Sequence, residues 1–178
     1  VRLLRSWPEI VPTGRAHVVD DIDRLVIRDY DYRTALGAVD DDILLVEWDL
    51  AVDKDDLTRF ATRAAAEPAR VRVAPYRLYH YSSGRDRPAP IWVHRRYIGD
   101  PQTGRLVHVG EGDPTCHLWG LGLTYLPRAV VRAYLDARPE PITDGHLSGW
   151  HYQHVERDVP IDWDVRPVHL HYQLPPIP

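Results

Sequence analysis

The feature that most constrains this chain is the run Ile43-Leu44-Leu45-Val46, which is framed by acids on both sides: Asp40, Asp41 and Asp42 before it, Glu47-Trp48-Asp49 after it. Four consecutive apolar residues between turn-forming acids predict a strand covered on both faces, at the centre of a sheet. Asp53 follows as a helix cap, with Asp56 three residues on as a capping-box-like acid. Leu57, Phe60, Ala61 and Ala64 then mark one helical face, and Pro68 closes the helix. The residues Val71-Arg72-Val73-Ala74-Pro75-Tyr76 predict the next strand. Strand, helix, strand is the unit of a parallel sheet.

Around this unit the readings are coarser. Arg2 to Leu4 predicts a short strand, and Ser6 to Gly14 a loop. Tyr32 to Val39 predicts a short helix. Ile91 to Tyr97 and Arg105 to Val109 predict strands joined by a turn at Gly99-Asp100-Pro101. Pro127 opens a helix whose stripe is Val130, Val131, Tyr134 and Leu135. Asp144 to Val155 predicts a further helix, Val165 to Tyr172 a late strand, and Pro175 to Pro178 an extended tail. No linker or repeat divides the 178 residues, so a single domain over 1–178 is expected. The expected class is α/β with a mostly parallel central sheet.

Composition excludes several functions. With one cysteine, Cys116, there is no intrachain disulfide and no CxxC zinc site, which suits a reducing cytoplasm. No apolar run is long enough to span a membrane, and Val1 to Ile10 does not read as a secretory leader. A net charge of −4 argues against nucleic-acid binding by a global positive field, although Arg85, Arg87, Arg95 and Arg96 offer a local anion patch.

Four constellations carry chemistry. In a strand, Glu47 and Asp49 share a face, at the carboxyl end where open sheets place ligands. Two such carboxylates repel unless a cation or proton lies between them, and a divalent cation is the natural partner. Solvated acids leading into a helix cap are the bland alternative. His169 and His171 also alternate on one strand face and suit a metal or a phosphate; hydrogen-bonded core histidines read equally well. Asp144, in Thr143-Asp144-Gly145-His146, is either a helix N-cap or a general base. His151 and His154, three residues apart, suit an amphipathic face better than a zinc pair. The glycines of Trp119-Gly120-Leu121-Gly122 permit close approach of a ligand or tight packing.

In this order, the motifs resemble the catalytic half of a GT-A type, family 2-like nucleotide-sugar glycosyltransferase, in the compact form found in actinobacteria and their phages. The resemblance spans about Ile43 to Tyr172 and rests on short motifs. It implies a Rossmann-type sandwich. It implies an inverting transfer of a sugar from a UDP- or GDP-sugar to an acceptor hydroxyl, assisted by Mn²⁺ or Mg²⁺. Asp49, with His169 or His171, would hold the cation. Glu47, where the family carries an aspartate, would face the nucleotide or the metal. Trp119, Gly120 and Gly122 would line the donor site, and Asp20, Asp21 and Asp23 fall near the nucleobase. Asp144 would be the base, although Thr143 replaces the glutamate that precedes it in the family, and the start of the chain lacks a clear apolar first strand. The acceptor and any self-association stay open. The competing expectations are a metal-dependent, phosphoesterase-like hydrolase and a non-catalytic module that binds sugar or protein through Trp and Tyr.

Overall fold

A computed structural model describes residues 1–10, 18, 20–29, 31–80, 89–99, 103–137 and 144–170. In chain order the elements are β1 (Arg2–Pro8), β2 (Arg24–Ile27), α1 (Tyr32–Gly37), β3 (Ile43–Val46), β4 (Leu50–Ala51), α2 (Lys54–Ala66) and β5 (Arg72–Val73). Then come β6 (Arg77–His80), β7 (Ala89–Trp92), β8 (Arg95–Ile98), β9 (Arg105–His108), β10 (Thr115–Cys116) and β11 (Leu123–Leu126). The chain continues through α3 (Arg128–Ala137), α4 (Asp144–His154), β12 (Val159–Pro160) and β13 (Val168–His169).

The central sheet has the order β2-β1-β3-β11-β5. Strand β1 pairs in parallel with β2 and β3, whereas β11 runs antiparallel to β3 and β5. The expected Rossmann-type sandwich with a mostly parallel sheet is therefore corrected. The sheet is mixed, and among the described residues four separate two-stranded antiparallel ladders accompany it: β10-β12, β4-β13, β6-β7 and β8-β9. The reason is β11. Leu123, Thr124, Tyr125 and Leu126 are all buried, so this strand takes a central position and separates β3 from β5. The strand-helix-strand unit exists, but its two strands are not neighbours.

Strand β1 is also longer than its apolar start suggests. It runs through Ser6, Trp7 and Pro8, where a loop was expected, because these residues pair with Leu25, Val26 and Ile27 of β2. The run Ile43–Val46 is buried on both faces as predicted. Leu44 and Val46 pack with Phe60 and Ala64 of α2, while Ile43 and Leu45 share a core with Leu36, Val130, Val131, Tyr134 and Trp150. Alternation along one strand thus feeds two cores, one per face.

The caps follow local chemistry. The Asp53 carboxylate accepts from the Asp55 backbone N–H at 2.8 Å and starts α2; Asp56 pairs with Arg59 instead of closing a capping box. Helix α3 borrows its cap from far away in sequence. Asp42 accepts from the Arg128 backbone N–H at 2.8 Å and from the Tyr125 hydroxyl at 3.0 Å. Burial, reinforced by Asp42, pushes the Tyr125 phenol up to about 12. Among the described residues no helix is long and apolar enough to cross a membrane.

Candidate metal centre

Strand β3 ends at Val46, so Glu47 and Asp49 do not sit on a strand face as expected. They lie in a tight turn closed by the Leu50 N–H donating to the Glu47 carbonyl at 3.1 Å. The Glu47 N–H donates to the Gly122 carbonyl at 2.7 Å, which ties the turn to the approach to β11. Beyond the turn, β4 pairs with β13, placing His169 opposite Leu50, and the Leu170 N–H donates to the Asp49 carbonyl at 2.7 Å. This short ladder carries the late histidine to the acids across some 120 residues of chain.

One donor atom from each of Glu47, Asp49 and His169 lies within 4.8 Å of the others. His169 Nε2 is 3.3 Å from the Asp49 carboxylate, and Asp49 is only 4% exposed. Two carboxylates and an imidazole form a donor set suited to a divalent cation such as Mn²⁺ or Mg²⁺. The sequence reading put Asp49 with His169 or His171 on the cation and Glu47 at the nucleotide or the metal. His171 lies outside the described residues.

Tyr76 backs the centre. Its ring stacks on the His169 imidazole at 5.9 Å between centroids and 6° between planes, and meets His94 edge-on at 5.8 Å. Gly120 and Gly122 exist for this ring. A Cβ at Gly120 would fall 2.4 Å from the Tyr76 hydroxyl oxygen, and one at Gly122 would fall 2.2 Å from Tyr76 Cε1. The glycines therefore receive a side chain of the protein itself. Trp119 is buried in the core, with its ring 6.0 Å from that of His151.

Beside the turn, a cavity of about 280 Å³ opens at the carboxyl ends of β1 and β2. Ser6, Glu9, Ile27, Asp29 and Trp48 are among the residues lining it, and Trp48 is the residue between the two acids. The Ser6 hydroxyl is buried without a hydrogen-bond partner among the described residues. Asp29 holds a left-handed backbone, φ +48°, at the rim, a conformation that aspartate tolerates better than most residues. The carboxyl ends of parallel strands are where α/β sheets bind ligands.

Other expected groups separate. Asp144 is the first residue of α4, in keeping with a place at or near a helix N-terminus. His151 is buried and His154 exposed, so they share no metal-binding face. The Cys116 thiol is buried and its pKa is driven up by that burial. The neighbouring His117 accepts from the Tyr97 N–H through Nδ1. That pair is no nucleophile and base. Asp20 is bound by Arg5 and Asp23 lies 3.9 Å from Arg2. Arg96 pairs with Asp113, while Arg85 and Arg87 lie outside the described residues.

The sequence reading missed Arg5, Tyr76 and the cavity. Only Arg5 left a trace, as a charge that directly follows the apolar pair Leu3-Leu4. No family model and no curated protein matches this chain.

Proposed function

We propose that the protein is a metal-dependent inverting glycosyltransferase that takes a sugar from a nucleoside-diphosphate donor. The observation that carries this reading is the cluster of Glu47, Asp49 and His169, with one donor atom from each within 4.8 Å of the others. A cavity lined by Trp48, the residue between the two acids, lies at the carboxyl ends of β1 and β2. A nucleoside fits a space of about 280 Å³ better than a polymer does, and a diphosphate leaving from it would reach the neighbouring cation site. A bound divalent cation supplies charge neutralisation for the departing diphosphate.

The chain's own residues do the rest. Glu47, Asp49 and His169 hold the cation. Trp48 offers an aromatic wall to the base, and the unpaired Ser6 hydroxyl offers a hydrogen bond. The base is assigned to Asp144 by the family resemblance alone: it would take the proton of the acceptor hydroxyl as the new carbon–oxygen bond forms and the bond to the diphosphate oxygen breaks. Attack from the face opposite the leaving group inverts the anomeric carbon. A binding module that works through an aromatic surface has less support. Tyr76, Tyr125, Tyr134, Tyr152, Trp119 and Trp150 are all buried, so much of the Trp and Tyr content builds core.

The test is release of nucleoside diphosphate from UDP- and GDP-sugars with Mn²⁺, with and without a panel of hydroxyl acceptors. The expected result is release that requires the cation, rises with one acceptor class and vanishes in Asp49→Ala. Asp144→Asn should bind the donor normally and turn over ~10²–10⁴-fold more slowly. Phosphate release indifferent to any acceptor would instead establish the hydrolase.

A further inference from the structure

The turn that carries Glu47 and Asp49 is fastened by a residue far upstream. Arg5 lies in β1, opposite Val46, the last residue of β3. It is 2% exposed. Its Nη1 donates to the Glu47 carbonyl at 2.6 Å and to the Leu50 carbonyl at 3.0 Å, the two ends of the turn. The other edge of the guanidinium is held by Asp20, which accepts from Nε at 3.1 Å and from Nη2 at 2.5 Å. One planar fork thus bridges the backbone of the turn and a carboxylate from the segment before β2.

A buried guanidinium is expensive unless every donor is used. Here the donors are spent on carbonyls that set the spacing of two metal-binding side chains. A lysine keeps the charge but offers one nitrogen, which cannot span both carbonyls and Asp20 together. Residues that orient metal ligands without touching the ion typically change its affinity by about 10–100-fold when lost.

We propose that Arg5 is the positioning residue of the metal-binding turn, with Asp20 as the anchor that aims its guanidinium. The inference rests on the cation site described above. Arg5 touches neither the cation nor the donor, and it acts through the Glu47 and Leu50 carbonyls.

The experiment is Mn²⁺ titration followed by electron paramagnetic resonance, below the unfolding temperature of every protein tested. The proteins are the intact chain, Arg5→Lys, Asp20→Asn and the control Asp49→Ala. Circular dichroism records the fold of each. Arg5→Lys is expected to keep cooperative unfolding and to bind Mn²⁺ about 10–100-fold more weakly. Asp20→Asn, at an exposed position, is expected to fold and to weaken Mn²⁺ by at least about threefold, at the low end of such effects. If Arg5→Lys does not fold, Asp20→Asn decides alone. A lowered melting temperature with Mn²⁺ affinity within about twofold of the intact chain, well below that range, overturns the proposal and leaves Arg5 a structural brace. Absence of saturable Mn²⁺ binding by the intact chain overturns the cation site itself, and is read from that protein alone.

Discussion

Two buried histidines outside the candidate site are held neutral by the fold. His94 donates from Nε2 to the Ala74 carbonyl at 2.9 Å, its Nδ1 has no partner among the described residues, and burial pushes the imidazole down to about 4. His151 is pushed down to about 4 by burial as well, against a weaker opposing pull from Glu156. Both are neutral in the folded chain, whereas an unfolded histidine titrates near 6.5. Between these values the unfolded chain binds protons that the native chain refuses. Stability therefore falls as pH drops from about 6.5 to about 4, by up to ~1.4 kcal/mol per pH unit for each histidine, and levels off below. Urea midpoints measured from pH 7 to pH 4.5 check this. His94→Gln, which can still donate to Ala74, should flatten the dependence, and an unchanged slope would contradict the assignment. At this scale Glu47, Asp49 and His169 were legible, because acids after an apolar strand and a late histidine are local patterns. Arg5 and Tyr76 were not. The contacts of Arg5 with Glu47 and Leu50, and of Tyr76 with His169, span more than 40 residues, and no periodicity encodes them.

Among the elements, helices α2 and α3 follow their apolar stripes, and β3 follows its unbroken apolar run. The missed elements have physical reasons. The strand β11 directly follows a glycine-rich stretch that reads as a loop, and its identity comes from burial between β3 and β5 rather than from alternation. The end of β1 contains Ser6 and Pro8, which read as loop but are held by pairing with β2. The glycines before β11 are fixed by Tyr76, which lies on them and stacks on His169. Gly122→Ala therefore places a methyl group where Tyr76 already lies. It should cost about 1–3 kcal/mol, the usual penalty for overpacking, and weaken Mn²⁺ binding by shifting the ring behind His169. Thermal denaturation with and without Mn²⁺ checks both effects. A variant as stable as the parent, with the same Mn²⁺ response, would break the proposed link from Gly122 through Tyr76 to the centre.

For the whole molecule, the departure from a mostly parallel sheet leaves the candidate site intact. Three parallel strands, β2, β1 and β3, still end on one side, and the cavity and the acidic turn occupy those ends. The antiparallel additions contribute to the site too, since Gly122, just before β11, presents its carbonyl and the β4-β13 ladder delivers His169. The site is thus assembled from the start, middle and end of the chain. The central claim is that cation and nucleotide occupy adjoining parts of one site, so each should need the other. Isothermal titration of UDP and GDP, in Mn²⁺ and in EDTA, tests it most directly. The account predicts saturable binding of one nucleoside diphosphate in Mn²⁺, lost in EDTA and lost in Asp49→Ala. Binding of equal strength in EDTA, or none of either nucleotide to the folded protein, would contradict it.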